Sequence, residues 1–224
     1  MNIQIPDLKQ EGGGYVFNAG AARYRDKTGR FISNTRLVEM RNTFINAQKE
    51  TVTQFAKELA EGNISRFEWT LKMRTLINET QTAEYLAGIG GRNNFTEEDE
   101  DNLRRIIEAQ YKYLEGFELD MKLRGDSEET AMSQEQIAAR SQLYMEASSP
   151  AFEEAKVRAR GIPQLPQYPG DGRTQCGPNC KCYWDIKQDN GSWSATWTLT
   201  PAEHCPDCLN NSQKWAPMIV PARV

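Results

Sequence analysis

All five cysteines of this chain and its only histidine lie between Gly170 and Trp215. Cysteines that merely fill a core scatter with that core, so their confinement to one window needs another cause. The spacing is Cys176-x3-Cys180-x-Cys182, and then, 22 positions further on, His204 followed by Cys205-x2-Cys208. Two short sulfur hooks joined by about twenty residues are the layout of a closed structural zinc site. Zn–S bonds of about 2.3 Å set thiolates roughly 3.5 to 4 Å apart, and a two-residue turn aims two side chains at one point with that separation.

The candidate ligands are therefore Cys176, Cys180, Cys182, Cys205 and Cys208, of which four are expected to bind. Cys205 and Cys208 form the standard Cys-x2-Cys knuckle. Cys176 supplies a third ligand from the loop Gly172 to Gly177, and the fourth is either Cys180 or Cys182. Treating the pair as part of the extended strand that follows, we expect one to face inward and the other away. His204 is placed to ligate, to hydrogen-bond a sulfur from outside the ligand set, or to pack.

Between the hooks the sequence turns aromatic and β-branched. Cys182 to Lys187 and Trp193 to Thr200 flank an Asn190-Gly191 turn, which is a hairpin signal. Alternation puts Trp193, Ala195, Trp197 and Leu199 on one face and Ser194, Thr196, Thr198 and Thr200 on the other. Such a hairpin carries the first hook to the second.

A disulfide framework is the rival use of these cysteines. It needs an oxidising compartment, and Met1 to Pro6 has no basic segment followed by an apolar core of the secretory kind. Five is also an odd number. A catalytic zinc keeps an open position and usually recruits several His or carboxylate ligands, whereas this set is rich in thiols.

The rest of the chain reads as helix. Leu37, Met40, Phe44, Ala47, Val52, Phe55 and Leu59 form one apolar stripe from about Asn34, closed by Glu61-Gly62-Asn63. Ser65 to Glu68 is a capping box that opens a second helix with the stripe Trp69, Met73, Leu76, Ala83 and Ala87, ended by Gly88 to Gly91. A third begins at Thr96 with acidic residues crowded into its first turns, as the helix dipole favours, and carries Leu103, Ile106, Ile107, Leu114, Phe117 and Met121 to Arg124-Gly125. Ser133 opens a fourth with Ile137, Tyr144 and Ala147, and Ser149-Pro150 restarts the chain as a separate helix to about Arg160.

The expected organisation is mostly α. An extended N-terminal arm (1–33), with Tyr15, Phe17, Tyr24 and Phe31 as anchors on a partner, precedes a long-helix domain (34–160). A Pro/Gly linker (161–172) leads to a small zinc-stapled β-hairpin module with an extended tail (173–224). The net charge of −4 gives no signature of a strong nucleic-acid binder. No apolar run approaches the roughly 18 to 20 residues of a membrane span, so no membrane partner is expected.

Enzyme signatures are lacking. Gly88 to Gly91 ends a helix instead of joining strand to helix, so it is no phosphate loop. A His204–Cys205 dyad sits inside a sulfur hook, where a thiolate serves better as ligand than as nucleophile. The long helices carry no inward Glu-x-x-His pair of a di-iron bundle. Neither catalysis nor a small-molecule substrate is expected.

Several segments together resemble a known family. They are Arg23 to Phe31, Gly62 to Ser65 leading into Trp69 and Met73-Arg74, Ala87 to Gly91, Gln110 to Phe117 and Arg140 to Ala147. In the cysteine region they are Asp171 to Cys176, Asn179 to Trp184, Trp197 to Leu199 and Glu203 to Cys208. These look like the minor head, or head-morphogenesis, proteins of tailed bacteriophages, of the Mu F-like group with a C-terminal cysteine module. The resemblance implies a virion structural or assembly protein, made in the host cytoplasm, acting near the portal vertex or head shell and contacting phage capsid, portal or connector subunits. A reducing compartment in turn favours zinc over disulfides. The alternative reading is a zinc-ribbon nucleic-acid binder on packaged DNA, with Trp184, Trp193 and Trp197 stacking on bases. Against it, residues 171–224 carry no cationic surplus: five Lys or Arg oppose five Asp or Glu.

Overall fold

The computed structural model describes residues 3–6, 14–18, 21, 23–125, 131–162, 164–177, 180, 182–189, 192–201 and 203–221. A short hairpin, β1 (Tyr15–Asn18) and β2 (Arg23–Asp26), precedes five helices: α1 (Asn34–Ala60), α2 (Arg66–Ile89), α3 (Glu97–Arg124), α4 (Gln134–Glu146) and α5 (Ser149–Arg158). A second, three-stranded antiparallel sheet follows, built of β3 (Tyr183–Asp189), β4 (Ser192–Thr198) and β5 (Met218–Pro221) in that order, with α6 (Pro206–Lys214) between its last two strands.

The helices begin where local chemistry starts them. Ser65, Thr96 and Ser133 each accept a hydrogen bond from the third helical residue, and Glu68, Asp99 and Gln136 return the bond to the cap backbone. Each such box satisfies two of the amide groups that a helix start leaves unpaired. Gly90, in the left-handed region at φ 92°, closes α2.

Helix α2 is the axis of the bundle. Its first half shows one buried face, Trp69, Met73, Leu76 and Ile77, against α1, α3 and α4. From Thr80 to Ile89 every residue is buried. Trp69 meets Phe117 of α3 edge to face at 5.4 Å. Sinking an indole of this kind removes roughly 200 Å² from water, about 5 kcal/mol as an upper estimate.

The glycines after Ala87 do more than stop the helix. A Cβ on Gly88 would lie 2.6 Å from the Phe152 carbonyl oxygen and 2.7 Å from the Ala155 Cβ, so α2 and α5 touch backbone to backbone there. A Cβ on Gly90 would lie 2.5 Å from the Phe17 carbonyl oxygen. The second approach seats β1 on the end of α2.

That contact corrects the expectation of an arm for Tyr15 to Asp26. Tyr15, Phe17 and Tyr24 are buried in one cluster with Leu37, Ala87 and Phe152 of their own chain. Phe31 stays half out in solvent beneath the guanidinium groups of Arg23 and Arg25. The physical reason is a polar lock that local sequence does not display. The Tyr15 hydroxyl donates to Glu84 at 2.8 Å, and Arg41 closes on Glu84 at 2.8 Å and on Glu153 at 3.8 Å. Residues 1–2, 7–13, 19–20 and 22 of the expected arm lie outside the described residues.

The segment expected to be a spacer is likewise packed. Ile162, Leu165 and Tyr168 are buried in the same cluster as the cysteines and tryptophans of the second sheet. Their three-residue spacing matches the repeat of a proline-rich extended chain, which lays every third side chain on one surface. Prolines that stiffen a spacer equally suit a strap.

Candidate metal centre

The first hook is shaped by its own loop. The Asp171 carboxylate accepts from the Tyr168 amide at 2.7 Å and the Arg173 amide at 3.0 Å. The Gly177 amide then bonds the Thr174 carbonyl at 2.7 Å, and the Cys180 amide bonds the Gly177 carbonyl at 3.2 Å. These turns coil Cys176 and Cys180 toward the same side. Asp207, in the first turn of α6, accepts from the Gln175 amide at 2.8 Å and ties this hook to the second.

The second hook is a helix start. Cys205 is the N-cap of α6, Pro206 opens it without needing an amide partner, and Cys208 follows within the first turn. Unpaired amides and the positive end of the helix dipole favour thiolate there. Strand β4 alternates buried and half-exposed residues as its sequence requires, with Trp193, Ala195 and Trp197 inward. Residues 190 and 191, the expected turn, lie outside the described residues; the register pairs Asp189 with Ser192 on either side of them.

The sulfurs converge. Cys176 and Cys208 Sγ are 3.6 Å apart, Cys180 and Cys208 3.5 Å, and Cys205 and Cys176 3.5 Å. A disulfide needs about 2.05 Å, whereas sulfurs around a tetrahedral zinc stand about 3.8 Å apart. All five cysteines are free. The cluster thus has the spacing of a metal site. Two overlapping sets exist, Cys176, Cys205 and Cys208, and Cys180, Cys182 and Cys208, each with its sulfurs mutually within 4.8 Å.

One expectation about the first hook is corrected. Cys180 and Cys182 were to diverge, yet both are buried and both face Cys208. Side chains two apart along an extended chain share a face, which suits the placement of both on one side just ahead of the strand that begins at Tyr183. His204 is also resolved. Its Nε2 lies 2.7 Å from the Thr200 carbonyl oxygen, which can only accept, so Nε2 carries the proton. The bare Nδ1 then faces Cys182 Sγ at 3.6 Å.

Without a cation the sulfurs cannot all ionise. The Cys180 thiol is pushed down to about 5, chiefly by the hydrogen bond from Cys182 and despite its burial. Cys182 is pushed up by its neighbour Cys180 and then by burial, and Cys208 by burial and then by Cys180. Burial also opposes charge on Cys205, but hydrogen bonds from the backbone amides of Cys208 and Cys176, and from their thiols, outweigh it and hold that thiol below its usual value. The remaining protons are those a soft divalent cation displaces.

The centre is mounted on the bundle through α5. The Lys156 ammonium bridges Glu153 at 2.6 Å and the Trp184 carbonyl at 3.1 Å, and the Trp184 indole donates to the Gln167 carbonyl at 3.0 Å. Burial lowers the Lys156 pKa even with Glu153 beside it. Trp184, Trp197 and Trp215 pack with ring centroids 5.4 to 5.8 Å apart. This removes the basis proposed for base stacking. Trp184, Trp193 and Trp197 are the buried core of the sheet and present no ring face to a base.

Periodicity did not point to the residues that hold this arrangement, Glu153, Lys156, Asp207 and Thr200. The one available signal was Asp207 inside the Cys-Pro-Asp-Cys knuckle. A cleft of about 650 Å³ between α3, α4 and the strap is lined by Arg105, Arg140 and Arg173. Its arginines are engaged by Glu154, Asp120 and Asp171 respectively, so it gathers no free charge from them. Comparison with protein-family models, with curated proteins and with solved structures found no match.

Proposed function

We propose that the chain is a non-enzymatic structural or assembly protein of a phage virion, of the minor head or connector-associated kind, whose C-terminal module is braced by structural zinc. The observation that carries the zinc is the convergence of buried free thiols at 3.5 to 3.6 Å between a loop and a helix start. A donor set dominated by thiols suits a closed structural site, in which the ion cross-links the chain and activates no water. The ligands are drawn from Cys176, Cys180, Cys182, Cys205 and Cys208, with His204 beside them.

The virion reading is supported by the segments that resemble phage head proteins, several of which occupy packing-critical positions here: Trp69 and Met73 in the core, Gly88 and Gly90 at the close crossings. Contact with other subunits is further supported by exposed apolar pairs. Phe67 and Leu71 stand out from the start of α2, and Leu119 and Leu123 from the end of α3. Arg66 lies beside Gly125, so the two helix ends are neighbours. Apolar groups repeated at i and i+4 on exposed faces suit burial by a partner subunit. No described helix is long and apolar enough to cross a membrane.

Quantitative mass spectrometry of purified particles and proheads tests this function. The chain is expected at a fixed copy number relative to the portal or major shell subunit. Its absence from both particle types would overturn the virion role and leave the metal assignment standing.

A further inference from the structure

Residues 23–31 hold four cations, Arg23, Arg25, Lys27 and Arg30, against one acid, Asp26, in a chain of net charge −4. That acid is turned inward. One oxygen of its carboxylate accepts from the Thr28 amide at 2.8 Å, the Thr28 hydroxyl at 2.6 Å and the Arg30 amide at 3.1 Å, and Gly29, at φ 82°, lets the chain reverse. The reversal pairs Phe31 with Arg25 and brings its ring under two guanidiniums, Arg23 at 4.6 Å and Arg25 at 3.9 Å from the centroid. Tyr24 between them points the other way and is buried, so the ribbon is fixed to the bundle by one face and keeps its arginines on the other. Lys27 and Arg30 are exposed. Among the described residues no carboxylate forms a salt bridge with any of the four cations. The Arg25 Nε is buried and has no hydrogen-bond partner.

Two guanidiniums held over one ring repel each other, and a bound anion relieves that repulsion. We infer that the hairpin of residues 23–31 binds the phosphate backbone of duplex DNA without reading its sequence. The length of the ribbon selects this ligand over a smaller anion. From Arg23 to Lys27 the chain advances about 13 Å at ~3.3 Å per residue, and one strand of a duplex presents a phosphate every ~3.4 Å of its axis. The cations spread over that length therefore meet about four phosphates. A lone carboxylate or phosphate engages the Arg23–Arg25 pair and leaves Lys27 and Arg30 unanswered. Planar guanidiniums donate paired N–H groups to phosphate oxygens, and stacking on Phe31 fixes their planes beforehand. The negative charge elsewhere on the chain does not cancel this surface at physiological ionic strength, because exposed charges more than about 8 Å away are screened.

Neither the metal nor the virion reading is needed for this surface, and both stand if it fails. Fluorescence anisotropy of the full-length chain with a short labelled duplex tests it. Neutralising about four phosphates gives a slope of about −3.6 in the logarithm of affinity against the logarithm of salt, so affinity should fall about 100-fold between about 50 and 200 mM salt. The triple variant Arg23→Gln, Lys27→Gln, Arg30→Gln leaves Arg25 and the backbone bonds of the turn in place. Its slope should drop to about −1, a loss of about fourfold over the same range, with the far-ultraviolet helical signal unchanged. Poly-L-glutamate at equal charge should displace the duplex far less well than unlabelled DNA does. No binding at about 50 mM salt, or a triple variant that keeps the wild-type slope, would overturn the DNA surface. Displacement by poly-L-glutamate as effective as by DNA would also overturn it and make an acidic protein face the partner.

Discussion

The helical bundle and the C-terminal module solve the same problem by different means. The bundle buries long apolar stripes from five helices, with Trp69, Met73, Leu86, Leu103, Ile107 and Phe117 fully enclosed. The module has a three-stranded sheet, one short helix and a strap, and its interior is largely indole and sulfur. A segment this small buries too little apolar surface to offset its conformational entropy, and a metal cross-link is a usual remedy. Stability in the bundle is therefore spread over many contacts, while in the module the proposed ion concentrates it on a few atoms.

Substitutions should expose that difference, most strongly at the sulfurs. Cys208→Ser removes the member common to both sulfur sets. It is expected to abolish the folded signal of the module, read by tryptophan near-ultraviolet circular dichroism, with the far-ultraviolet helical signal largely kept. Trp69→Ala reverses the pattern: it should cost about 3–5 kcal/mol in urea unfolding of the bundle and leave metal content unchanged. If Trp69→Ala also strips metal, the two regions share one cooperative core and the contrast fails.

Smaller effects sharpen the picture. Burial opposes ionisation of Asp99, but hydrogen bonds from Thr96, Arg158 and Tyr85 outweigh it and hold the carboxyl below its usual range. A depressed folded pKa gives stability that is complete above the unfolded value of about 3.9. That stability is lost as pH falls through the folded value. Asp99→Asn should flatten the acid limb of the stability curve, and an unchanged limb would remove Asp99 from the account. Ser65→Ala, at a cap far from the module, should cost about 1 kcal/mol; a chevron or urea curve reads it directly.

Local signals in the sequence revealed the helices, because a capping box such as Ser65 to Glu68 or a stop such as Gly90 acts within a few residues of itself. The convergence of the cysteines was legible for the same reason, since the hooks are short and their spacing is chemical. Long-range placement was not. Nothing around Tyr15 announces Glu84, and the alternation of Ile162, Leu165 and Tyr168 does not say which surface they cover. The base-stacking alternative stood open in the sequence because an aromatic strand looks alike whether its face meets a ligand or a core. Cys180 and Cys182 were misread because side chains two apart along an extended chain share a face and do not diverge.

Hydrogen–deuterium exchange of the full-length chain, before and after treatment with a metal chelator under reducing conditions, tests the proposed division between a metal-held module and a self-sufficient bundle most directly. Amides of β3, β4 and α6 should lose protection on stripping, while Thr80 to Ile89 of α2 keeps it. Equal protection in both states, or a loss spread evenly over α2 and β4, would contradict the account.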